Sequence, residues 1–120
     1  MAKNAISAGE VLQYTAGADI SSGDVVVTGN TIGVALVDIA NGETGSVAIE
    51  GVFSVPKVSA AVFAQGEALI YDVSASAFDD AAATPATGDI TGGAIAWEAG
   101  ANTETTALVK LTPGNATKTA

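Results

Sequence analysis

The chain has 120 residues, enough for one domain with a single modest core. Four lysines and no arginine stand against 13 carboxylates, a formal net charge of -9, so cations to neutralise nucleic-acid phosphates or hold an anionic membrane are scarce. With no histidine or cysteine, the usual general bases, thiolate nucleophiles and soft metal ligands are missing, and neither catalytic residues, cofactors nor metal sites are expected.

Residues 1–9 (MAKNAISAG) are small and polar and read as a flexible N-terminal arm. They lack the apolar core of a signal peptide, and no run approaches the ~20 apolar residues of a membrane span. Glu10–Thr15 alternates as a first strand. Asp24–Thr28 is a second, closed by a Gly29-Asn30 turn. Ile32–Asp38 is nearly continuously apolar, which predicts a third strand covered on both faces. Asn41-Gly42 marks another turn, and Ser46–Val55 reads as one long strand bulged or bent at Gly51.

Val58–Gln65 fits either a helical turn or a covering loop. Ala68–Val73 is a strand, and Ser74–Asp89 is a long connection with a short strand around Phe78. Gly93–Glu98 and Thr105–Thr112 complete the sheet. Pro113 ends it and residues 114–120 read as a frayed tail. The reading is a single β domain over residues 10–113: all-β, a small antiparallel β-barrel or sandwich.

A loose internal repeat runs through these segments. Gly23-Asp24 ahead of Val25–Val27, then Ile32–Asp38, then Val47–Ile49, form one set. Gly66-Glu67 ahead of Ala68–Tyr71, then Gly92–Glu98, then Leu108–Leu111, form the second. Two such units can pack face to face or close on each other, which limits exposed edges.

Chemistry-bearing residues are few. Lys3, Lys57 and Lys110 could serve as bases only if buried, and Lys110 alternates with Val109 and Leu111 as a solvent-facing residue does. Asp72 with Asp79-Asp80 could form a weak oxygen-ligand cation site, but the spacing matches no EF-hand loop and reads as a solvated turn. Trp97 reads as core or subunit-interface packing, Phe53 as core packing or an interface contact, and Pro56-Lys57 as a strand stop that could also touch a partner.

The order of motifs resembles the small cement, or decoration, proteins of tailed-phage capsids, a family long catalogued as a domain of unknown function. The resemblance rests on Met1-Ala2-Lys3-Asn4, on Gly9–Leu12 with Tyr14-Thr15, and on SGDVVVTGNTIGVALVDIANGETGSVAIEGVFSVPK from Ser22 to Lys57. Gly66–Asp72, Gly93–Ala96 and Leu108–Leu111 continue it, while Trp97 and the enlarged Ala81–Thr91 segment depart from it. Some members have been labelled recombinase-like, but this chain has no phosphate-binding G-x-x-x-x-G-K-[ST] loop.

The resemblance implies a structural, non-enzymatic protein on the outer surface of an expanded phage head. It would be a homotrimer at or near threefold positions, with the major capsid protein as partner and no part for nucleic acid or membrane. It makes Lys3, Asn4 and Ile6 candidates for an arm that orders on the capsid by adding a strand, and Phe53, Pro56, Lys57 and Trp97 candidates for contacts. The alternative is a biotinyl/lipoyl-like carrier module or another β-rich binding domain, since Gly23–Val26 is similar to a strand opening there. Such a carrier needs a modifiable lysine on a hairpin tip.

Overall fold

The Val-rich segments pair as antiparallel strands in the computed structural model, which describes residues 3–4 and 7–120. The first four strands are β1 (Val11–Thr15), β2 (Val25–Thr28), β3 (Thr31–Ala35) and β4 (Thr44–Ala48), and they form one sheet in the order β1-β4-β3-β2. Then come β5 (Gly51–Pro56), β6 (Ala68–Asp72), β7 (Ala77–Asp79), β8 (Ile90–Ala96) and β9 (Thr106–Leu111), which form a second sheet in the order β5-β9-β8-β6-β7. A short β10 (Thr117–Lys118) pairs with the start of β8. The described residues contain no helix, and the fold is all-β.

Period-two alternation sorts the side chains. On one face of the first sheet Val26, Ala35 and Val47 pack with Ala16, Ile39, Leu12, Tyr14 and Ile20. Its other face gives Ile32 and Val34 to the larger cluster, where Val55, Leu69, Phe78, Ile90, Val109 and Leu111 are almost wholly buried. Each such side chain contributes roughly 1.5–3 kcal/mol by leaving water. The second sheet curls into a half-barrel: Lys57 bridges Phe78 in parallel and the Val58 N–H donates to the Phe78 carbonyl at 2.9 Å, drawing the end of β5 against β7.

Three expectations change, and one open alternative is decided. Ser46–Val55 is not one strand: β4 and β5 lie in different sheets, and Gly51 turns the chain between them at φ +120°, a conformation L side chains rarely adopt. Val58–Gln65 is a covering loop that buries Ala61 and Phe63, with Phe63 and Gly100 exchanging backbone hydrogen bonds of 3.1 and 3.0 Å. The third strand stops at Ala35, leaving Leu36 and Val37 exposed. The tail is not frayed. Besides β10, the Gly88 N–H donates to the Thr119 carbonyl and the Thr119 N–H to the Asp89 carbonyl, at 2.9 and 2.8 Å.

The repeat is realised strand for strand. In both sheets the first strand lies beside the fourth and the second to fourth form a meander, a Greek-key order read in reverse. β7 and the loop after it are an insertion in the second half, at the place where Gly29-Asn30 alone joins β2 to β3. Backbone bonds match too. Gly23 donates to Ala35 and Gly66 to Ala96, both at 2.8 Å, and Ala35 returns a bond to Asp24 as Ala96 does to Glu67, both at 2.9 Å. The Asp24 carboxylate accepts from the Ser21 N–H just as that of Glu67 accepts from Ala64.

Register carries the match onto side chains: Val25 pairs with Val34 and Ala68 with Ile95, which makes Ile32 the counterpart of Gly93. These two meet. A Cβ on Gly93 would lie 2.6 Å from Ile32 Cδ1. Contact between a position and its own counterpart is the pattern of a local two-fold axis.

Candidate interaction face

Side chains that alternate away from the half-barrel interior form the outer face of β5, β9 and β8. Val52 pairs with Lys110 and Lys110 with Ile95; Ser54 pairs with Leu108, whose carbonyl accepts from the Trp97 N–H at 2.9 Å. Trp97 therefore sits at the end of β8 on an open sheet surface, 48% exposed, with Val52 at 41%. A large, rigid apolar side chain presented to water on a sheet surface is a common anchor of a protein contact. Its carbonyl is fixed by the Gln65 side-chain amide at 3.3 Å. Beside it Glu98 and Glu104 edge a shallow recess with Ser54 and Leu108.

The large residues point outward because the interior has no room for them. Ala94 and Ala96 are fully buried, facing a cavity already filled by Phe63, Phe78 and Leu69. Trp97 is thus not a core residue. Phe53 is half-buried and packs against the core cluster, and Pro56 is exposed at the end of β5.

Lys57 is 4% exposed, away from any face a partner could reach. Its ammonium donates to the carbonyls of Val58, Ser59 and Glu104 at 2.9, 3.1 and 3.2 Å and lies 5.8 Å above the Phe63 ring. All three N–H bonds are spent, so it clamps two loops together rather than acting as a base or contact. Lys3 and Asn4 are exposed, and Ile6 lies outside the described residues.

Other charged groups serve the scaffold. Buried Asp89 accepts from the Val73 and Ala86 N–H groups at 3.1 and 2.9 Å, tying down the inserted loop. Asp72 is held below the usual carboxylate range by the Ser74 hydroxyl, 2.7 Å away, and by the Ala75 N–H. Burial raises the Tyr71 pKa, helped by the charges of Asp24 and Asp72 and opposed by a bond with Ser76. Among the described residues no group of three acidic side chains could hold a metal ion. Three of the four lysines lack the hairpin-tip setting of a carrier: Lys57 is buried, Lys110 lies within β9 and Lys118 within β10.

No curated protein sequence matches the chain. The family model described as phage cement protein matches residues 6–111, nearly all of both sheets. On that match, the chain belongs to the phage cement proteins and has a capsid cement role.

Proposed function

We propose that the protein attaches as a homotrimer to the outer surface of an expanded phage head, at or near threefold positions, and stabilises contacts between capsomers. The observation that carries this reading is Trp97 exposed on the outer face of the second sheet in a family of cement proteins. The major capsid protein is the partner, and the role is structural rather than enzymatic. A symmetric trimer presents each contact three times, so modest contacts sum through effective concentration into firm attachment.

The trimer carries 3 × -9 = -27 charges, so attraction to an acidic surface supplies nothing. Attachment rests on the Trp97 face with Val52 and Pro56, and on the arm, where Lys3, Asn4 and Ile6 add a strand to an exposed capsid edge. Native mass spectrometry with co-sedimentation on expanded, undecorated heads tests the reading. A trimer that pellets with heads and raises their heat resistance supports it; a monomer left in the supernatant overturns it.

A further inference from the structure

Large apolar residues left in water have no part in holding the fold, and here they recur at matched positions. Among the described residues seven such side chains are exposed: Val11, Leu36, Val37, Val52, Val62, Val73 and Trp97. Four of them form two counterpart pairs. Leu36 donates its N–H to Ser46 on β4 as Trp97 does to Leu108 on β9, and each is the residue that follows its strand. Val11 pairs with Ala48 as Val52 pairs with Lys110. Exposures match as well, at 43% and 48% for Leu36 and Trp97 and at 43% and 41% for Val11 and Val52. On the first sheet Val11 and Leu36 lie with Gln13 and Ser46 at the uncovered end of the face whose Ile32 and Val34 join the larger cluster.

We infer that each chain is a two-handed clamp, in which the Leu36 face and the Trp97 face dock two copies of one element of the capsid protein. This rests on the capsid-binding reading above. Two like faces related by a local two-fold fit two like ligands, whereas one asymmetric partner would leave one face without use. Charge gives the chemistry of the element. Exposed Asp38 neighbours the first face, where Ser22 bonds both its carboxylate and the Leu36 carbonyl, and exposed Glu98 and Glu104 edge the second, so the complement is an apolar pocket rimmed by Lys or Arg. A second copy of this chain fits poorly: with Lys57 buried, it has only Lys3, Lys110 and Lys118 to set against 13 carboxylates. Lys110, whose counterpart is Ala48, is the one cation on either face. The two docked copies must lie within reach of a molecule 45 Å long.

Photo-reactive benzoylphenylalanine placed at position 36 or, separately, at position 97 tests this on expanded, undecorated heads. Each variant is first shown to pellet with heads as the unmodified protein does. Cross-links from both positions to the same segment of the major capsid protein are the expected result. Cross-links to two different segments, or from position 97 alone, overturn the two-handed clamp and leave capsid binding standing. Failure of the unmodified protein to pellet overturns the capsid reading itself, and the clamp with it.

Discussion

Single residues divide into those that hold the fold and those it holds out. Lys57 belongs to the first group. Replacing it with Met removes the ammonium and the three bonds that tie the two loops together. The Val58 and Ser59 carbonyls keep the Ala61 and Thr103 N–H groups, while that of Glu104 loses its side-chain donor. We expect Lys57→Met to cost about 3 kcal/mol, read as a lower urea midpoint at unchanged slope. An unchanged midpoint would show that the three bonds hold nothing. Thr103 is a residue under strain. At φ +78° it occupies the place that Gly42 fills at φ +83° in the first half, and its N–H bonds Ser59 as that of Gly42 bonds Ala16. A β-branched residue there is an outlier, so Thr103→Gly should stabilise the protein by about 1 kcal/mol. A loss in the same denaturation measurement would show that the threonine side chain earns its strain.

At the scale of elements the terminal strand matters most, because nothing in its sequence announces it. Residues 114–120 have no apolar pattern and follow a proline, yet β10 pairs with β8, the Lys118 N–H donates to the Asn30 side chain at 3.3 Å, and Ala116 packs on the core. A chain ending at Gly114 should lose about 2 kcal/mol and exchange amide protons faster along Thr87–Thr91. Unchanged exchange there would return the tail to the status of a frayed end.

The strands themselves were legible, since Val-rich runs between Gly, Asn and Asp reveal alternation locally, and the repeat was legible from its Gly-acid openings. A bulge or bend at Gly51 was legible too, but the change of sheet there was not, because alternation continues through Ser46–Val55 while the choice of sheet depends on β9, more than fifty residues away in sequence. Trp97, read as core or interface packing, was left open for the opposite reason. Alternation fixes which residues share a face but not which face is inside, and Ala94 and Ala96 take the interior only because Phe63 and Phe78 fill it. The burial of Lys57 depends on two loops meeting, which no local pattern records.

As a whole the molecule is two matched half-units, with one sheet curled into a half-barrel and the most exposed aromatic face on its outside. Its -9 charge suits a protein that stays soluble at high concentration until it meets a surface with the right shape and rim. Among the described residues the bonds of the buried charged groups are accounted for within the fold. The central claim is that the Trp97 face carries attachment while contributing little to stability. The direct measurement compares Trp97→Ser with the unaltered protein, in affinity for expanded, undecorated heads and in urea midpoint. The account predicts a midpoint within about 0.5 kcal/mol of the original and an affinity lower by roughly thirtyfold or more. Equal affinity at equal stability would contradict it.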